Sequence, residues 1–185
     1  MAKQGGALLN TVMSLLLSSA HLLLSVAVIF SLAYLLGRPI LTASLPGGET
    51  ATHLAYAEWL NHYFPEVPNW NPQVAAGVSL RNGTAIASHL LAVVVVRAGN
   101  LPIPEALRLV SFLTLPATAL GIYLLGWSVS RRQTVGLIAA VFYLVAPISW
   151  TWVADGGLYS LSLGLVFLPF ALASFDRYLN LRLSQ

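Results

Sequence analysis

The chain has 185 residues, 57% of them hydrophobic and only 8% charged, with a mean hydropathy of +0.78. Soluble domains carry roughly 25% charged residues, so this composition excludes a water-soluble protein and specifies an all-α integral membrane protein. Nine basic and six acidic residues leave a net charge of +3; no basic cluster exceeds Arg131-Arg132, which excludes a nucleic-acid footprint. The absence of cysteine excludes disulfides, thiolate metal sites and cysteine nucleophiles.

A membrane-crossing helix needs about 20 mainly apolar residues. Residues 8–36 satisfy this with no formal charge and His21 as their one side chain of a type that titrates near neutrality. The preceding residues are too weakly basic, and the apolar run too long, for a cleaved signal peptide, so this is expected to be a retained first span. A long loop, 37–108, follows. Gly47-Gly48 after Pro46 breaks any helix. Thr50 then caps an amphipathic helix over about 51–64, with Leu54, Ala57 and Leu60 on one face and Tyr56, Trp59 and Phe64 nearby. Tryptophan and tyrosine favour the membrane–water interface, so this helix is expected to lie flat on the bilayer. Pro65, Pro68 and Pro72 impose an extended path, and Arg81-Asn82-Gly83 is a turn. Residues 84–96 are apolar but too short to cross, which suits an interfacial or re-entrant helix. Asn82-Gly83-Thr84 matches a glycosylation sequon too short to carry weight. Residues 109–130, 133–153 and 158–175 supply three more spans. The expectation is one membrane domain, 1–185, with four transmembrane helices, or five if 84–96 crosses.

Orientation follows from charge. With 84–96 outside the count of spans, Arg131-Arg132 and Arg177 with Arg182 fall on the same side as Lys3. The long loop on the other side carries four basic and four acidic residues. The positive-inside rule then places the N-terminus in the cytoplasm and 37–108 outside. The localisation expected is a bacterial inner (plasma) membrane.

Most of the hydrogen-bonding chemistry sits in that loop. Glu49 and His53 are four apart and share a helix face if the helix starts by residue 49. They suit a general base with its orienting partner, or part of a divalent-metal site, although two ligands alone are too few to hold a metal. The bland alternative is a solvated carboxylate at a helix N-terminus. Asp155 is the acid of a short Asp-Gly-Gly connection on the same side. It can share base and positioning roles with Glu49, or be a plain turn residue. Arg81, Arg97 and Arg108 flank the short apolar helix and suit phosphate recognition, or snorkelling to head groups. His21 and His89 lie in apolar segments. Ala85-x-x-x-His89 is a weak haem or chlorophyll spacing, more often a histidine bonded to a neighbouring helix.

Taken in order, the pieces form a pattern. A first span leads to Gly-Gly-Glu49-Thr-Ala-Thr-His53-Leu, an aromatic helix, Pro68-Asn69-Trp70-Asn71-Pro72 and Gly77. A short apolar helix, Arg108-Leu109, Gly126 through Arg131-Arg132 to Gly136-Leu137, Pro147 and Asp155-Gly-Gly-x-Tyr159 follow. Over residues 10–180 this resembles the N-terminal half of a GT-C-type membrane glycosyltransferase, and is most similar to the YfhO-like and 6-pyruvoyl-tetrahydropterin synthase-related bacterial membrane proteins. The resemblance implies a GT-C-like module and a lipid-linked sugar donor on a polyprenyl phosphate. It gives Glu49 the place of the catalytic acid in the first outer loop, usually an aspartate, and Asp155 the place of the second acid. An arginine such as Arg81 or Arg97 would hold the departing phosphate, with Trp70 and Asn71 in the substrate-binding loop. It also implies further helices completing the groove, from a C-terminal half or from other membrane subunits. The competing expectation is a non-catalytic accessory subunit of a larger membrane complex, with pigment or haem contact through His21 and His89 as a variant.

Overall fold

The computed structural model describes residues 2–42, 50–72, 74, 77–79, 86–154 and 159–183. Its elements are α1 (Ala2–Thr42), α2 (Thr50–Tyr63), β1 (Trp70–Asn71), β2 (Val78–Ser79), α3 (Ile86–Gly99), α4 (Ile103–Ser130), α5 (Gln133–Val145), α6 (Pro147–Ala154) and α7 (Tyr159–Leu183). Among the described residues, three helices are long and apolar enough to cross a membrane: Leu16–Thr42 of α1, α4, and Tyr159–Leu181 of α7. The count becomes four if α5 and α6, bent by 54°, form one broken span. Ile86–Gly99 is apolar but shorter than a span.

α4 is the axis of the bundle. Half of its apolar window is buried, against 17% for α1 and 22% for α7, because α1, α5 and α7 all pack on it. Within lipid no hydrophobic driving force separates helix from helix, so close van der Waals packing must supply the association. The α4–α5 hairpin does this through Gly126 and Gly136. A Cβ on Gly126 would lie 3.0 Å from Gly136 Cα, and one on Gly136 would lie 2.3 Å from the Tyr123 carbonyl oxygen. Ile29, Ala33, Leu115, Ala119, Tyr123, Ala140 and Leu144 fill the core around this contact.

Two elements differ from the expected ones. The first helix continues six residues past 36, through Pro39, to Thr42. Proline inside a membrane helix is tolerated when neighbours re-satisfy the backbone. Here Ile40 is buried in the core, and Gly37 lets Phe112 and Trp150 come within about 3 Å of where a Cβ would stand. The expected span 133–153 is instead broken at Ala146–Pro147. Ala146 is extended (φ −70°, ψ 125°), as steric clash with a following proline ring demands, and Pro147 has no N–H to continue the ladder. The carbonyls left over by the break are taken by side chains from the next turn. The Ser149 hydroxyl donates to Tyr143 O at 2.7 Å, and the Trp150 indole donates to Leu144 O.

At one end of the bundle α2 and α3 pack on each other and on α4. The α2 face bearing Ala57 and Leu60 is covered by Ala92, Val93, Leu107 and Val110. Its apolar side therefore rests on protein. Where the prolines imply only an extended path, β1 and β2 pair antiparallel, Trp70 opposite Ser79 and Asn71 opposite Val78. Gly77 adopts φ +110°, and Trp70 lies over it so closely that a Cβ there would meet the indole at 2.1 Å.

Candidate functional site

Polar side chains of α2, α3 and the start of α7 converge on one cluster, buried at Ser88, His89 and Tyr159 and half-buried at His53 and Ser160. His53 is on the fourth residue of α2, one turn before the buried Ala57, so the packing of α2 on α3 carries it inward. His89 occupies the equivalent inward face of α3, which also buries Ser88, Ala92 and Val93. The ring nitrogens His53 Nδ1 and His89 Nε2 are 2.9 Å apart, with ring centroids 5.1 Å apart. Tyr56 and Tyr159 flank the pair, their ring centroids 5.1 and 5.9 Å from that of His89. The Tyr159 hydroxyl donates to Ser88 O at 2.7 Å, which ties the start of α7 to α3. Ser88 Oγ is 2.8 Å from Ser160 Oγ and 3.4 Å from His89 Nδ1. His89 and Ser88 are each only 2% exposed, so water does not satisfy these groups and the protein must.

This geometry fixes the chemistry open to the pair. Of two nitrogens facing each other at 2.9 Å, one carries the proton and the other accepts it. Each imidazole can take a proton at one nitrogen and release one at the other. The pair is thus able to move a proton from the His53 side towards Ser88 and Ser160 by exchange of tautomers. It does not suit a shared metal. Two imidazole ligands of a tetrahedral ion, each about 2.0–2.1 Å from it, stand about 3.4 Å apart with both lone pairs on the ion. Among the described residues, no three His, Asp or Glu side chains come together to hold one.

Comparison with protein-family models, with curated proteins and with solved structures finds no match to this chain.

The residues singled out by sequence fall into three groups. Glu49, Asp155 and Arg81 lie outside the described residues, as does the Asn82-Gly83-Thr84 sequon. His53 is in the cluster, through its 2.9 Å contact with His89. The others have their contacts elsewhere. Arg97 is committed to α2: its Nε donates to Asn61 Oδ1 at 2.8 Å, its Nη2 to Asn61 O at 2.6 Å, and its guanidinium stands 5.9 Å over the Phe64 ring. Arg108, one turn into α4, borders a cavity of about 300 Å³ with Leu41, Leu101, Glu105 and Leu109. Its Nε is buried with no hydrogen-bond partner among the described residues. Trp70 is half exposed, and its carbonyl accepts from the Trp59 indole at 3.0 Å, while Asn71 is fully buried at the base of the ribbon. His21 sits apart on α1, where Ser25 Oγ donates to its carbonyl at 2.8 Å and lies 3.3 Å from its Nδ1.

Sequence reasoning missed Ser88, Tyr159 and Ser160 as partners of the histidines. The available signal was Ser88-His89 itself. Two adjacent polar side chains in an apolar helix need partners, and such residues in membrane proteins turn towards other protein.

Proposed function

We propose that this chain is a GT-C-like membrane module of a glycosyltransferase that moves a sugar from a polyprenyl-phosphate donor to an acceptor hydroxyl at the outer membrane face. The observation that carries the reading is the His53–His89 pair, His89 buried and His53 half-buried. An apolar protein has gathered titratable groups at the bundle end where the two acid-bearing segments, 43–49 and 155–158, join α2 and α7. Burying such groups costs free energy unless each is hydrogen-bonded, and their concentration at one end favours a chemical role over a structural one.

In this mechanism Glu49 accepts the proton of the acceptor hydroxyl as its oxygen bonds to the sugar's anomeric carbon. The bond from that carbon to the donor phosphate breaks, and polyprenyl phosphate leaves with the electron pair. Arg81 and Arg108 stabilise the charge developing on the departing phosphate; Arg97 has Asn61 to hold. His53, four residues after Glu49, orients the base and passes the proton to His89. Asp155 positions the acceptor from the second loop. The positive-inside distribution supports the outer location, since Arg131, Arg132 and Arg177 occupy the opposite end.

The test is turnover of a polyprenyl-phosphate-linked radiolabelled sugar by the full chain in proteoliposomes, with any membrane subunits that co-purify. Glu49→Gln keeps the shape and removes the base, and should slow transfer by about 10²–10⁴-fold while leaving donor binding intact. Transfer at the wild-type rate would remove Glu49 as base. No transfer by the wild-type assembly would leave a packing subunit as the better account of this fold.

A further inference from the structure

The bundle end remote from the histidines carries a second polar group, at the turn between α4 and α5 and the last turns of α7. Arg131 closes α4 in the left-handed conformation (φ 61°), its N–H donating to Trp127 O at 2.8 Å. That cap fixes the direction in which the Arg131 side chain leaves the helix. Arg177, on α7, has its guanidinium carbon 5.9 Å from the centroid of the Trp127 ring. Between them is a pocket of about 310 Å³ lined by Arg131, Arg177, Asn180 and Leu181.

Among the described residues the charges at this end do not cancel. Asp176 is the one acid at this end among the described residues, and its Oδ2 accepts from the buried Ser128 hydroxyl at 2.5 Å. The Asn180 amide, which also borders the pocket, donates to Asp176 O at 2.7 Å. Neither Arg131 nor Arg177 has a carboxylate partner among the described residues. Ordinary snorkelling sends each cation separately to the head-group layer. Here two guanidinium groups instead border one pocket, beside an indole of the kind that marks the interface and next to the apolar surface of Phe175 and Leu181, 59% and 68% exposed.

We propose that this pocket binds the phosphate of an anionic phospholipid, with its acyl chains along the exposed face of α7. Basic pockets between helices on the cytoplasmic side take such head groups, and guanidinium matches the phosphate oxygens in paired hydrogen bonds. Two cations disfavour a head group that carries its own ammonium, so the pocket selects phosphatidylglycerol over phosphatidylcholine. The site shares no residue with the transfer chemistry and stands whether or not that reading holds.

Native mass spectrometry of the purified full chain, titrated with each lipid, tests this. Wild-type protein should retain phosphatidylglycerol in preference to phosphatidylcholine. Arg131→Gln and Arg177→Gln should each weaken phosphatidylglycerol binding about fivefold; Arg177→Lys should fall between, and Arg38→Gln, at the other end, should leave it unchanged. Equal retention of the two lipids, or arginine variants that bind as wild type, would overturn the proposal. Displacement of the lipid by millimolar inorganic phosphate would overturn the lipid assignment in favour of a soluble anion.

Discussion

His53 and His89 are 36 positions apart in sequence yet share a hydrogen bond of 2.9 Å, and each is the other's route to satisfying a ring nitrogen. Truncating His89 leaves His53 Nδ1 facing a buried void, a loss of about 1–3 kcal/mol. Removing both rings removes the mismatch along with the bond. The expected result is therefore that His89→Ala lowers unfolding stability in detergent by that amount. The His53→Ala/His89→Ala variant should cost clearly less than the sum of the two single changes. Strict additivity would show that the rings are not coupled. The sequence exposed each histidine for a different reason, one by its spacing from Glu49 and the other by its place in an apolar helix. Their meeting could not be read from it, because it depends on how α2 packs against α3, and neither helix alone encodes that register. Arg97 shows the same limit: as a cation flanking an apolar helix it suggests phosphate, yet its guanidinium is held by Asn61, a side chain with no periodic signal.

At the scale of elements, the apolar helices were legible because hydrophobic length is a local property. The α2 and α3 segments were also legible, within a few residues of their ends. The break between α5 and α6 was legible too in principle. Pro147 was visible, and the restriction it places on Ala146 is enough to end a helix there. What hid it was the unbroken apolar character of 133–153, which suits a straight span equally well. The Ser149 and Trp150 bonds that make the break tolerable lie downstream of it and only make sense once the chain has turned. Helix packing rests on smaller features. Gly136 has no room for a Cβ, which would stand 2.3 Å from a backbone oxygen, whereas a Cβ on Gly164 would meet nothing within 4 Å. Gly136→Ala should therefore cost about 1–3 kcal/mol, by forcing the α4–α5 hairpin apart. Gly164→Ala should be neutral or slightly stabilising, since alanine is the better helix former. Paired thermal melts in one detergent check both; equal midpoints would show that the glycine contact does not hold the hairpin.

For the molecule as a whole, the two ends of the bundle differ in kind. One gathers imidazoles, tyrosines and serines under α2 and α3; the other gathers arginines at the α4–α5 turn and on α7. By the positive-inside rule, the orientation proposed for the chain has the arginine end in the cytoplasm. Because the protein has no cysteine, single introduced thiols report sidedness cleanly. In intact cells a membrane-impermeant thiol reagent should label Glu66→Cys from outside and spare Arg131→Cys. The opposite pattern would invert the orientation and place the histidine cluster inside. This two-ended arrangement was partly legible from the arginine positions, whereas the clustering of polar groups at the far end required the packing of three separate helices.

Residue, element and molecule meet in the proposed role of the histidine pair, which is to serve a base at Glu49. Groups that act as one unit lose their effects non-additively when removed together. The most direct measurement is the rate of lipid-linked sugar transfer by Glu49→Gln, His53→Ala and the double variant in the same proteoliposomes. Transfer in the double variant should be no slower than in Glu49→Gln alone, within about threefold, because the histidine has nothing left to orient once the base is gone. Losses that multiply, the double variant falling by the product of the two single effects, would contradict the account and separate His53 from the chemistry.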